Sequence, residues 1–235
     1  MPFSAYGERT TTVAETDFPV WPDGAISLAP YNAGVTIQSS SPDDTANGTG
    51  IRAVHIHYVR QDLSEVDDVV ITLNGVTPVP LNDPDFLFTQ CMHIAEGRIG
   101  SGLKAAGTIT AKNSAGTLTY SEIATGKLRC SSSFRIVPKG KRLFIDGAVA
   151  SSVSVTADTT SLIQIVANEI SGHQYNSPLL LIPQASVGVQ NGAISASFGG
   201  GVGPFTEGTV VGATHTSSKA ATISATWFGR LEPAP

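Results

Sequence analysis

Three observations predict an all-β, antiparallel fold of sandwich or jelly-roll-like type. Short runs rich in β-branched and aromatic residues recur along the chain, turn residues separate them, and no stretch keeps a helical apolar period for long. Composition agrees: Gly, Ala, Ser and Thr fill 97 of 235 positions and 14% of residues are charged, against roughly 25% in an ordinary soluble domain. A coiled coil would need Glu, Lys and Arg at heptad spacing, and a disordered chain would hold less apolar material, so both are excluded. No run of about 18 apolar residues is present, so no membrane-spanning helix is expected. Met1-Pro2-Phe3-Ser4-Ala5 lacks the basic segment and apolar run of a secretion signal.

The chain divides into three expected parts. Residues 1–35, punctuated by Pro2, Pro19, Pro22 and Pro30, read as an extended N-terminal arm that cannot form a core alone. Residues 36–150 read as the β-sandwich core. Within it, 51–60 places Val54, Ile56 and Tyr58 on one face and His55 and His57 on the other. Residues 68–73 run into Asn74-Gly75, a preferred hairpin turn, followed by 76–79; Pro78 and Pro80 confine that second strand to an edge. Residues 108–111 and 117–120 flank Asn113-Ser114-Ala115-Gly116 as a second hairpin. The best helical stretch, Leu63 to Val70, is short and reads better as a loop entering a strand. Further strands are expected at 133–137, 142–145, 161–166, 178–182, 185–190, 193–198 and 221–228. Residues 151–235 form a charge-poor β segment, either a second sheet or a small second domain. In it Gly199-Gly200-Gly201 with Gly203-Pro204 reads as a flexible loop.

Charge is unevenly placed although the net value is only -5. Residues 43–85 carry eight carboxylates (Asp43, Asp44, Asp62, Glu65, Asp67, Asp68, Asp83, Asp85) against Arg52 and Arg60. Residues 98–142 carry nine basic residues against Glu122 alone, and residues 147–235 hold six charges in all. The basic segment would suit nucleic acid, but the protein is acidic overall and few aromatics (Tyr120, Phe134, Phe144) lie nearby for stacking. Docking between copies through opposite patches is the expectation instead. The nearly uncharged C-terminal third is expected to be covered by another chain or coated in Ser, Thr and Gly.

No motif supplies chemistry. His55-x-His57 shares one strand face and is a pair that zinc or copper can use, but no third ligand stands at recognisable spacing. Asp43-Asp44 to Gly50 could wrap calcium, yet lacks the alternating oxygen ligands and distal Glu of an EF-hand. Gly97 to Gly102 has the wrong spacing for a phosphate loop, and no Gly-x-Ser-x-Gly elbow occurs. Five histidines (55, 57, 93, 173, 215) offer no triad that sequence can identify. Cys91 and Cys130 each sit in a strand-like stretch and read as small buried hydrophobes. Trp21 and Trp227 are the candidates for a sugar-stacking platform, with a core or interface role the ordinary reading. Catalytic, cofactor-binding and metal-ligating residues are therefore assigned as none, and the expectation is a non-enzyme without a cofactor.

Ser39 to Gly50, the strand after it, Val69 to Val79, Gly97 to Gly102, Ala106-Gly107-Thr108-Ile109, Ile123 to Gly126 and Phe134-Arg135-Ile136-Val137-Pro138-Lys139-Gly140-Lys141 follow an order that resembles uncharacterised virion structural proteins of tailed bacteriophages. The resemblance spans about residues 39–147. It implies a β-sandwich block of the particle, assembled in the host cytoplasm and repeated by symmetry, with no catalytic residue to carry over. The expected role is a head decoration or head-fibre protein forming homo-oligomers and touching other virion proteins, without nucleic acid or membrane. The alternatives are a tail, baseplate or receptor-binding component, which could meet a host-surface glycan, or a carbohydrate-binding β domain.

Overall fold

The computed structural model describes residues 2–21, 27–154, 161–169, 180–181, 187–189 and 192–235. In chain order the strands are β1 (Pro2–Thr11), β2 (Glu15–Pro19), β3 (Thr36–Ser39), β4 (Ala53–Arg60), β5 (Glu65–Thr72), β6 (Val79–Pro80), β7 (Phe86–Ile94), β8 (Ile109–Lys112) and β9 (Thr119–Ile123). They continue as β10 (Arg135–Ile136), β11 (Lys141–Val153), β12 (Ser161–Glu169), β13 (Leu180–Leu181), β14 (Val187–Val189), β15 (Gly192–Phe205), β16 (Thr209–Ser217) and β17 (Ala221–Pro233). All strand pairs are antiparallel, and no helix occurs among the described residues. The all-β antiparallel expectation therefore stands.

Two compact units share the chain: Met1–Ile26 with Ser132–Pro235 form the first, and Ser27–Ser131, inserted between them, form the second. The first has a four-stranded sheet, β1-β17-β11-β15, and a six-stranded sheet with path β10-β16-β12-β13, to which β14 adds at β12 and β2 at β16. Alternation on β11 and β17 turns Leu143, Ile145, Ile223, Trp227 and Leu231 inward, where they meet Ile163, Ile165, Val211 and Ala213 of the other sheet. Ala5, Ala148, Ala150 and Ala225 fill the same core, and their small size lets the sheets close around the single large indole. The Trp227 indole N–H donates to the Ser133 carbonyl at 2.6 Å, which satisfies its one polar atom.

The second unit packs β6-β3-β8-β9 and β5-β4-β7 around its own core of Ile37, Val54, Ile56, Phe86, Met92, Ile109, Tyr120 and Ile123. Tyr58 and Arg60, at the end of β4, both donate to Asp83 Oδ2, at 2.6 and 2.9 Å. Burial, aided by the Asp83 carboxylate, pushes the Tyr58 phenol well above its ordinary range. Burial alone would raise Asp83 too, but the two donors outweigh it and hold that carboxyl below its usual value.

Several expectations need correcting. The division at 1–35, 36–150 and 151–235 does not coincide with these units. Pro2–Thr11 is no arm: all ten residues pair with Ala221–Arg230, because the C-terminal strand offers it a matching edge. Asn74-Gly75 does turn, with Gly75 at φ 60° and Thr77 N–H donating to Asn74 O at 3.1 Å. It is not a hairpin, since β5 pairs with β4 and β6 pairs with β3 in the other sheet. The glycine-rich loop at 199–204 is instead part of β15. Gly201 (φ 81°) and Gly203 (φ 141°) carry the chain through register shifts opposite Leu143–Gly147, in conformations other residues resist.

Candidate functional site

The cluster with the most chemical potential lies on the outer face of the β5-β4-β7 sheet. β4 turns Val54, Ile56 and Tyr58 into the core and leaves His55 and His57 half-buried on the other side, as the alternation predicts. The neighbouring β7 places His93 opposite His55 and Cys91 opposite His57. On the other flank the β4–β5 register jumps between Ile56↔Val69 and Tyr58↔Val66, so His57 alone faces both Asp67 and Asp68. Asp68 sits at φ 56°, the left-handed conformation of a bulge, which Asp tolerates better than most residues.

The resulting distances are short. His57 Nε2 is 3.1 Å from His93 Nε2 and 3.3 Å from Asp68 Oδ1, and His57 Nδ1 is 3.3 Å from Asp67 Oδ1. His93 Nδ1 is 2.9 Å from the Ile94 carbonyl. A carbonyl only accepts, so Nδ1 carries the proton and Nε2 of neutral His93 presents its lone pair. His55 stacks on His93 with ring centroids 5.3 Å apart, and its buried Nδ1 lies 3.3 Å from Asp68 Oδ1 without forming an aligned hydrogen bond. The carboxylates are the open side of the cluster: the side chains of Asp67 and Asp68 are 66% and 67% exposed. His93 was missed as a partner because the strand-like stretch around Cys91 gives no sign of which strand it pairs with; it runs beside β4 only in the folded chain.

The other residues singled out by sequence have structural work. Asp44 is completely buried: Oδ1 accepts from the N–H groups of Ile51 (2.7 Å) and Ala106 (3.0 Å), and Oδ2 from Gly107 N–H (2.8 Å) and the Ser39 hydroxyl (2.6 Å). Four donors leave it nothing for calcium, so that possibility at Asp43-Asp44 is corrected. Gly100 and Gly102 donate to Gly50 O and Thr49 O, which ties two loops together and cradles no phosphate. Trp21 and Trp227 are 3% and 0% exposed, which removes the sugar platform. The Cys130 thiol points at Cys91 Sγ from 3.9 Å, and no disulfide joins them. His215 is fully buried with Nε2 3.0 Å from Glu15 Oε2, and Glu15 is held by Arg9 through contacts of 2.6 and 2.8 Å. His173 lies outside the described residues.

The charge blocks are not the docking patches expected. Of the acidic block, Asp44 and Asp83 are engaged internally and Asp67 and Asp68 face histidines. The basic block is split, Arg98 to Arg129 falling in one unit and Arg135 to Arg142 in the other. Arg135 is buried, donating to the carbonyls of Ser132 and Phe134.

A second surface is defined by what it lacks. The outward face of β1-β17-β11 carries Ser4, Tyr6, Thr10, Thr222, Ser224, Thr226, Val149, Ser151 and Val153, side by side in register. Glu8, which accepts from the Tyr6 hydroxyl at 2.6 Å, is the one charge among them. Val149, Val153 and Phe228 stand out from this face at 43%, 64% and 41% exposure. Charge returns only at one end, where Arg230 bridges Asp146 and Glu232 and Arg142 meets Glu232. This sheet face carries the Ser and Thr coat expected as one alternative for the charge-poor third.

No protein-family model matches the chain, and no curated protein matches it. Among solved structures, naturally occurring empty particles of Cowpea mosaic virus align at 10% identity over 90% of this chain and 88% of that one, with a TM-score of 0.26. The infectious bursal disease virus Gt strain aligns at 10% identity over 100% and 80%, with a TM-score of 0.14. Scores this low establish no shared fold. The expectation of a tailed-bacteriophage virion protein, and with it the head-decoration, head-fibre, tail and baseplate roles, is withdrawn: no family model and no curated protein matches the chain, and the solved structures that align are particles of other viruses.

Proposed function

We propose that the chain is a non-enzymatic structural protein that works by contact with further copies of itself, as a subunit of a multi-subunit particle. The observation that carries this reading is the outward face of β1-β17-β11. It combines small hydroxyl side chains with exposed Val149, Val153 and Phe228 and, away from the Arg142, Asp146, Arg230 and Glu232 cluster at one end, presents one carboxylate, Glu8. Solvent-facing sheets ordinarily intersperse charges of both signs. A face without them lets an identical face approach with little like-charge repulsion and little charge desolvation. Two-sheet sandwich units of jelly-roll-like type serve as building blocks in capsid and lectin domains, and burial of both tryptophans in this chain speaks against the lectin use.

Sedimentation velocity over a wide concentration range tests the proposal. Species larger than the 24.3 kDa monomer are expected to grow with concentration. A Val149→Asp, Thr226→Asp double variant, altered only on the outer face, should remain monomeric with an unchanged β circular dichroism spectrum. A wild-type protein that stays monomeric throughout overturns the reading.

A further inference from the structure

We propose that His57, His93 and Asp68 form a binding site for one divalent transition-metal ion, best matched to zinc, on the outer face of the β5-β4-β7 sheet. The inference stands independently of self-association.

Proton bookkeeping is the first argument. His93 Nδ1–H is committed to the Ile94 carbonyl at 2.9 Å, so its Nε2 points a lone pair at His57 Nε2, 3.1 Å away. If neutral His57 placed its proton on Nε2 to satisfy that contact, its Nδ1 lone pair would face the Asp67 carboxylate at 3.3 Å, acceptor against acceptor. The other tautomer lets Nδ1–H donate to Asp67, and then two imidazole lone pairs and the Asp68 oxygen converge on one point. A cation resolves that convergence. Each imidazole also has its far nitrogen anchored, one on a carboxylate and one on a backbone carbonyl, which is the arrangement that orients metal-ligating histidines.

Geometry is the second argument. Ligand atoms from His57, Asp68 and His93 all lie within 4.8 Å of one another. Zinc bonds of about 2.0–2.2 Å at tetrahedral angles put neighbouring ligand atoms about 3.3–3.5 Å apart. The His57–His93 and His57–Asp68 separations of 3.1 and 3.3 Å already meet this within a few tenths of an ångström. Asp68, two-thirds exposed, has room to close the remaining edge. Two imidazoles and one carboxylate suit zinc, and suit magnesium or calcium poorly. The bulge at Asp68 gives the site a reason for its local backbone: without it, His57 would face a single β5 residue instead of a carboxylate pair.

The test uses the full chain, stripped with a chelator, titrated with zinc chloride by calorimetry and with cobalt(II) by visible absorption. One zinc per chain and an intense cobalt band of low coordination number are expected. Asp68→Asn, which keeps a residue tolerant of the left-handed backbone, and His93→Gln should each weaken zinc by about 100-fold or more, and Asp67→Ala by about 10–100-fold. Circular dichroism confirms that each variant retains its β structure. Absence of stoichiometric zinc binding, or binding undiminished in both Asp68→Asn and His93→Gln, overturns the site.

Discussion

Asp44 carries more of the second unit than any other polar side chain described. Its carboxylate draws donors from Ser39, Ile51, Ala106 and Gly107, so one buried group pins three separated stretches of chain. Gly50 is part of the same device, because a Cβ there would stand 2.1 Å from Asp44 Oδ1. Asp44→Asn turns an amide N–H toward groups that are themselves donors, and it should cost roughly 3 kcal/mol. Urea unfolding of the second unit, followed by tyrosine fluorescence, measures that loss. In sequence the Asp43-Asp44 pair suggested an ion because adjacent carboxylates are visible, whereas the donors that occupy Asp44 come from up to 63 positions away. The histidine cluster has the same history. Alternation placed His55 and His57 on one face, but Asp68 joins through a bulge and His93 through a strand that lacks alternation, and neither is a local pattern.

At the scale of elements, β16 shows how closely the first unit is packed. A Cβ on Gly212 would lie 2.2 Å from the ring of Phe134, itself completely buried. Gly212→Ala should therefore destabilise the first unit by about 1–3 kcal/mol. Adding Phe134→Leu should recover part of the loss, and a double-mutant cycle in urea would show the coupling. Strands exposed on one face were legible, as β4 and the β8–β9 hairpin were. β16 was not, and of β7 only the strand-like stretch around Cys91 was, because both faces are largely buried and a period of two disappears. The Asn74-Gly75 turn was read correctly as a turn and given the wrong partner. Turn chemistry specifies a reversal of direction, and here the strand that follows joins the opposite sheet.

For the whole molecule, the ion-pair chemistry predicts a graded response to acid. Burial lowers the pKa of His215 from its ordinary 6.5 despite the opposing pull of Glu15. The unfolded chain then takes up the proton first, so this contribution is complete above about pH 6.5 and falls as pH drops toward the folded-state value. Glu15, held below 4.5 chiefly by its hydrogen bond from Arg9, contributes above that value and loses its share as pH falls through its lowered pKa. Both groups and both tryptophans belong to the first unit. Urea midpoints read by tryptophan fluorescence should thus decline between pH 7 and 5.5, and His215→Gln should flatten that decline.

The insertion of Ser27–Ser131 into the first unit also sets an order in time. On a ribosome the inserted unit emerges whole and can close around its own core. β1 is synthesised before the inserted unit, yet its partner runs from Ala221 to Arg230, so it waits until that later strand has been made. Until then its ten residues are an open edge in the nascent chain, the kind of surface on which chaperones act and aggregates begin. Only β17 ends this exposure, so deleting Ala221–Pro233 leaves the whole length of β1 without its partner.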